Sequence, residues 1–167
     1  MNLRSNILAA LFITLSFIGA NVKVLGSIAF DSMPGFLGTL ILGTAYGAAI
    51  GAAGHFLTAL LSGFPLTIPV HLVIMGIMAV TMAVFGIIYR RLADANRFSV
   101  KGALVAGGVA VLLNGPLGLL VLSPLLVPVL GQAGILALLP ILSGVAALNI
   151  LLAFIIYRLL GKAAAKA

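Results

Sequence analysis

Charged residues are scarce in this chain of 167 residues, and that scarcity limits the classes of protein it can belong to. Only 7% of the residues are charged, with two acids against nine bases, whereas soluble domains are about one-quarter charged. Hydrophobic residues make up 63% of the chain, and the mean hydropathy is +1.37. A water-soluble globule needs more polar surface than these few charges supply. The composition therefore predicts an integral membrane protein.

Cysteine and the common catalytic motifs are also absent. A chain without cysteine is not a disulfide-stapled secreted scaffold. There is no Walker A sequence, no Gly-x-Ser-x-Gly, no His-Glu-x-x-His and no pair of carboxylates. We therefore expect no catalytic residues and no resident cofactor, and we expect any ATP-hydrolysing part to be a separate chain.

What the chain does contain is a series of apolar runs separated by short turns. A spanning helix takes about 20 residues and a turn about 5 to 8, so the length allows about six helices. The helices are predicted over 6–22, 35–42, 45–62, 70–92, 99–122 and 133–160. We expect a break near Gly43 and a turn containing Pro124, Pro128 and Gly131. The predicted fold is an all-α membrane bundle of six transmembrane helices, with a single domain over 1–167.

The basic residues indicate an orientation, because translocated loops avoid Lys and Arg. With the N-terminus in the cytoplasm, only Lys23 lies outside. The bases on the cytoplasmic side are then Arg4, Arg90, Arg91, Arg97, Lys101, Arg158, Lys162 and Lys166. Both termini are therefore predicted to be cytoplasmic, and the acid Asp94 falls in a cytoplasmic loop.

Polar side chains within the apolar spans concentrate in the predicted outer half of the bundle. Such side chains are costly in a bilayer and usually face the bundle interior. Their clustering favours a small-molecule pocket open to the outside, with aromatic side chains as stacking surfaces. The residues that we expect to line this pocket are Phe30, Asp31, Ser32, His55, Phe64, His71 and Asn114.

Several of these residues have a second interpretation. Asp31 and Ser32 precede Pro-Gly at a helix start, where either side chain can cap the helix. His55 and His71 lack the spacing and the further ligands of a metal site, so a hydrogen bond to a ligand or to a backbone carbonyl is favoured. Asn114, followed by Gly-Pro, and Asn149 are both compatible with purely structural hydrogen bonds between helices.

Three segments carry a resemblance to a known family. They are the run 26–38 (GSIAFDSMPGFLG), the run 47–55 (GAAIGAAGH) and the sequence GFPL at 63–66 followed by PVH at 69–71. With these segments and six predicted helices, the chain resembles the substrate-binding S components of energy-coupling factor (ECF) vitamin transporters. The third segment is similar to the branch that handles alpha-ribazole, a dimethylbenzimidazole nucleoside.

The resemblance implies a division of labour. An S component captures its vitamin from outside the cell, while a transmembrane scaffold subunit and two cytoplasmic ATPases drive its release inward. Many family members dock on the scaffold through Ala-xxx-Ala on the first helix, where this sequence has Ala10-xxx-Thr14. The implied location is a bacterial plasma membrane, with no nucleic acid as partner. Metal-specific members carry an N-terminal histidine site, which Met1-Asn2-Leu3 does not provide.

Three alternatives are kept beside this interpretation. In the first alternative, the chain is the S component for another vitamin-like solute. A membrane enzyme would use His55, His71 and Asp31, but no acid–base pair has recognisable spacing. A small channel is disfavoured, because the polar residues concentrate in one leaflet instead of lining a complete path.

Overall fold

The computed structural model describes residues 3–21, 23–25, 28–93 and 98–164, and the side chains of all of these except 23–29 and 162–164. Within these ranges the helices are α1 (Leu3–Gly19), α2 (Met33–Leu42), α3 (Thr44–Leu61), α4 (Ile68–Leu92), α5 (Val100–Leu112) and α6 (Gly118–Ala164). A π-helical turn, Leu113–Leu117, joins α5 to α6. The short strands β1 (Lys23–Leu25) and β2 (Ile28–Ala29) pair antiparallel between α1 and α2. The predicted helical architecture is confirmed, and the hairpin is an addition that the sequence did not indicate.

The long element α6 consists of two helices. Gly131 has φ 68° and ψ 173°, so residues 118–130 (α6a) and 132–164 (α6b) are separate helical segments. The predicted turn containing Pro124, Pro128 and Gly131 is wrong in its extent, because the helix continues through both prolines. A proline can bend a helix without ending it, whereas a positive φ is cheap only for glycine. The reversal is therefore confined to Gly131.

Three stretches of the described chain are long and apolar enough to cross a membrane: Thr44–Leu61, Ile68–Leu92 and Val100–Gly161. The last of these includes the break at Gly131. The apolar helices α1 and α2 are shorter, with 17 and 10 residues. The number of six spanning helices therefore stays a prediction.

The short helix α2 lies inside the bundle and is held at both ends by other helices. All six residues from Pro34 to Thr39 are buried. At its N-terminus the amide of Met33 donates to Oδ1 of Asn149 on α6b, at 2.8 Å. At its C-terminus the guanidinium of Arg90 on α4 donates to the carbonyl of Thr39, at 3.1 Å. Helix ends leave unpaired backbone groups, and here two distant side chains satisfy them.

Two apolar clusters make up the core. The larger one contains an aromatic group in which Phe85 packs against Phe36, Tyr89 and Phe154. The smaller one joins Val70 of α4 to three leucines of α6a, Leu119, Leu122 and Leu126. The aromatic group ties α2, α4 and α6b together around the buried helix.

Four of the described cations gather at one end of the bundle. Arg90 and Arg91 lie in the last turn of α4, and Lys101 lies in the first turn of α5. The guanidinium carbon of Arg158 lies 5.7 Å from the ring centre of Phe98, between α4 and α5. Asp94, Arg97, Lys166 and the side chains of Lys23 and Lys162 are outside the described part. The start of α4, at the opposite end, carries the polar side chains described next.

Candidate functional site

Four buried polar side chains form a connected group where α3 ends and α4 begins; we call it the Asp–His cluster, and it consists of Asp31, His55, Thr58 and His71. The hydroxyl of Thr58 lies 2.5 Å from Oδ2 of Asp31. The same oxygen lies 3.8 Å from Nδ1 of His55. Nε2 of His55 lies 3.1 Å from Nδ1 of His71. At most 5% of the surface of any of the four residues is exposed, so the group is shielded from the surroundings.

The local sequence explains why these side chains meet. His55 and Thr58 are three residues apart on α3, and side chains at that spacing share a helix face. His71 lies in the first turn of α4, whose N-cap is Thr67. Gly54 allows α3 to approach the loop that holds Asp31: a Cβ at Gly54 would lie 3.3 Å from the carbonyl oxygen of Asp31.

The interpretation of Asp31 or Ser32 as a side-chain cap is wrong. Ser32 occupies the N-cap position of α2, but its side chain makes no capping hydrogen bond. The amide of Met33 is bound instead by Asn149, which confirms a structural role for that asparagine. Since Asn149 satisfies the helix end, the Asp31 carboxylate is left to pair with Thr58.

Phe64 adds an aromatic wall to the cluster. Its ring centre lies 5.7 Å from that of His71 in an edge-on arrangement, and 6.2 Å from that of Phe56. The backbone of Phe64 has φ 51°, which is unusual for a bulky residue. Its amide donates to the carbonyl of Ala59 at 2.8 Å, and this bond closes the end of α3. Strained backbone of this kind concentrates at functional sites.

One ring nitrogen in the cluster has no partner. Nε2 of His71 is buried and makes no hydrogen bond within the described part of the chain. The two imidazole rings are stacked, with centres 5.3 Å apart and 29° between their planes. Buried polar atoms are almost always hydrogen-bonded, and an unsatisfied one calls for an explanation.

The geometry gives no support to a metal centre. In the described ranges, no group of three or more His, Cys, Asp or Glu residues is placed to hold a metal ion. The facing nitrogens of the two histidines are instead directed at each other. The arrangement is suited to binding polar groups of a ligand through hydrogen bonds.

The structure brings together only part of the predicted site. Asp31, His55, His71 and Phe64 meet, whereas Phe30 is half-buried and Ser32 is buried in the same loop. Asn114 lies in the π-helical turn, and no hydrogen bond of the described residues joins it to the Asp–His cluster. Thr58 was missed by the sequence analysis. Its position three residues after His55, on the same helix face, was the available signal.

The predicted docking residues lie on the outer surface of α1. Ala10 and Thr14 are both exposed. The hydroxyl of Thr14 donates to the carbonyl of Ala10 at 3.0 Å. Since this bond satisfies the hydroxyl within the helix, the pair presents a small, mostly apolar surface.

Comparison with known proteins assigns the family. The family model described as "ECF transporter, substrate-specific component" matches residues 4–161. No curated protein and no solved structure gave a match. Proteins of this family bind a small-molecule substrate and work with the ECF scaffold and ATPase modules, so the alternative of a membrane enzyme is wrong. The chain belongs to the family of ECF transporter substrate-specific components and is a transporter subunit, not an enzyme.

Proposed function

We propose that this chain captures alpha-ribazole from the extracellular side of a bacterial plasma membrane for ATP-driven uptake. The observation that supports it best is the buried Asp–His cluster, which ends in a ring nitrogen of His71 that has no partner among the described residues and lies beside the ring of Phe64. A nucleoside offers what such a site needs, namely a flat ring for stacking and hydroxyls for hydrogen bonds. The alternative substrate is another vitamin-like solute with the same two features.

In this proposal the two kinds of side chain have separate tasks. The heteroaromatic ring stacks on Phe64 and Phe30, and the ribose hydroxyls bind to Asp31, His55 and His71. Ser32 and Asn114 complete the polar lining. Because the described polar groups of the cluster are buried, ligand entry requires the loops at this end of the bundle to open.

The proposal also includes the arrangement of the subunit in the membrane. The chain forms one six-helix domain with both termini in the cytoplasm, so the cation-bearing end faces the ATPases. The exposed surface of Ala10 and Thr14 on α1 docks against the scaffold subunit. Co-purification of the scaffold and both ATPases with the tagged chain tests this part, and retention of both after an Ala10→Leu substitution would contradict the assigned surface.

Thermal stabilisation of the purified chain tests the substrate, because a ligand stabilises the state that it binds. The panel contains alpha-ribazole, riboflavin, thiamine, biotin and pantothenate. We expect alpha-ribazole alone to raise the unfolding temperature. A higher unfolding temperature with a different member would identify that compound as the substrate instead. No change with any member would overturn the proposal of vitamin capture.

Substitutions locate the ligand within the chain. We expect Asp31→Ala and His55→Ala each to weaken binding by about tenfold or more, since each removes a buried polar partner worth about 1–3 kcal/mol. Membrane insertion should be unchanged. Ser123→Ala is a matched control, because among the described residues that hydroxyl binds the nearby carbonyl of Leu120 and no group of the Asp–His cluster. If both variants bind the ligand as well as the wild-type chain, Asp31 and His55 do not belong to the binding site.

A further inference from the structure

The hydroxyl of Thr58 determines which atoms of the Asp–His cluster donate hydrogen bonds and which accept them. Its hydroxyl has one proton and two acceptors within reach, Oδ2 of Asp31 at 2.5 Å and the carbonyl of Gly54 at 3.0 Å. Hydroxyl-to-carboxylate hydrogen bonds are typically about 2.5–2.7 Å long, shorter than neutral ones. The proton is therefore directed at Asp31, whose Oδ2 acts as the acceptor.

That carboxylate sets the proton positions on both histidines. Its Oδ2 lies 3.8 Å from Nδ1 of His55, and a nearby negative charge favours a proton on that nitrogen. A neutral imidazole carries one proton, so Nε2 of His55 is an acceptor. It faces Nδ1 of His71 at 3.1 Å, which is then the donor. His71 has thereby used its only proton, and its Nε2 is left as a lone pair.

The surroundings of this lone pair restrict the group that can bind it. His71 is fully buried, and its Nε2 has no partner among the described residues. Only a hydroxyl or an N–H satisfies a lone pair, whereas phosphate and carboxylate oxygens are acceptors at neutral pH. An anion here would also meet the Asp31 charge, whereas the cations Arg90, Arg91, Lys101 and Arg158 lie at the other end of the bundle.

We infer that Nε2 of His71 accepts a hydrogen bond from a hydroxyl or N–H of the substrate, and that the site selects uncharged ligands over their phosphorylated forms. The inference rests on the proposed capture of a small solute at this cluster and specifies its chemical class. For a nucleoside substrate it means uptake without the phosphate. A phosphatase acting before capture would then have to supply the substrate from any nucleotide source.

The proton positions are testable without a ligand. The chain has only two histidines, so ¹⁵N-histidine labelling gives two imidazole spin systems, which His71→Asn assigns. We expect both rings at alkaline pH to be protonated on Nδ1 and unprotonated on Nε2. A proton on Nε2 of His71 in the wild-type chain would overturn the inference, whatever the substrate is.

Matched ligand pairs test the selection against charge. The pairs are alpha-ribazole, riboflavin and thiamine, each with its monophosphate, and the readout is the ligand concentration that gives half of the maximal thermal stabilisation. Like-charge contacts are strongly unfavourable, so we expect the phosphorylated member of the binding pair to need more than about tenfold higher concentration. Asp31→Asn keeps the shape of the side chain and removes its charge. This variant should reduce the ratio between the concentrations needed for the phosphorylated and the unphosphorylated ligand.

The outcomes separate the two proposals. Equal stabilisation by a phosphate ester, or an unchanged ratio in Asp31→Asn, would overturn the selection against charge. If no member of any pair stabilises the chain, the proposed substrate class fails, while the histidine spectrum still decides whether His71 offers a lone pair.

Discussion

The helices on the two sides of α4 use the same small residues in different ways. On α3, a Cβ added at Gly47 would fall within the side chain of Thr39 and lie 2.8 Å from its Cα, so α2 and α3 touch backbone to backbone. On α5 and α6b, a Cβ added at Gly108 or Gly144 would meet nothing within 4 Å. Gly47 therefore permits close packing of α2 on α3, whereas Gly108 and Gly144 lie on open surface, although Gly102 and Gly107 of the same helix α5 are buried against neighbouring side chains.

The bundle also contains an open volume, away from the α2–α3 contact. An apolar cleft of about 290 Å³ lies between α4 and the chain leaving the π-helical turn. It is lined by Gly76, Ile77, Val80, Thr81, Leu113, Leu117, Gly118 and Val121. The donor–acceptor distance of a hydrogen bond varies by only a few tenths of an ångström around about 3 Å. Helix backbones that carry several such bonds must therefore be held in fixed positions. The Asp–His cluster accordingly lies in the tightly packed region.

The largest expected effect is at the α2–α3 contact. Gly47→Ala places a methyl group where Thr39 stands, and such overpacking costs about 1–3 kcal/mol or more. We expect a lower unfolding temperature in detergent and reduced yield of folded protein. Gly108→Ala is the matched control, because it adds the same methyl in open space and gains about 1 kcal/mol of helix propensity. Equal stability of the two variants would contradict the difference in packing between Gly47 and Gly108.

A smaller effect is expected from two buried threonines. Thr58 and Thr81 are both fully buried, but the hydroxyl of Thr58 binds Asp31 whereas that of Thr81 has no partner among the described residues. Thr58→Val leaves a buried carboxylate without its donor and should destabilise the chain by about 1–3 kcal/mol. Thr81→Val removes an unsatisfied hydroxyl and should leave the unfolding temperature unchanged or raised. The reverse order would contradict the hydrogen bonding assigned to the cluster.

The smallest expected effect is at the C-terminus of α2. Arg90→Gln removes the guanidinium that binds the carbonyl of Thr39, a bond worth about 0.5–1.5 kcal/mol at a helix end. Arg91→Gln is the control, since it removes the same charge from the same turn of α4. Thermal unfolding of both variants measures the difference. Equal unfolding temperatures would mean that the Arg90 hydrogen bond contributes nothing to holding the C-terminus of α2.

The predicted helix boundaries agree with the structure where an apolar run ends at a glycine or proline turn. The breaks at Gly43 and at Gly63 to Thr67 lie where the sequence placed them, because glycine and proline act on the local backbone. The turn at Pro124 and Pro128 was wrong, since a proline inside a helix bends or ends it depending on its surroundings. The sequence also could not indicate the hairpin that precedes Asp31.

The candidate site was predicted in part. The two histidines and Asp31 stood out because polar groups are rare in apolar spans. Thr58 did not stand out, since a threonine in a helix usually bonds to its own backbone. Asn114 was included from its predicted depth alone, and depth does not tell which side of a helix a residue occupies.

Composition and local pattern determined the membrane environment, the helical class and the family, because each follows from residue counts or from short runs of neighbours. Tertiary structure decided which polar groups meet: Asn149 reaches Met33 across 116 positions of sequence, and Thr58 reaches Asp31 across 27. Those contacts depend on how closely whole helices approach, and that distance is set by packing between segments that are far apart in the sequence.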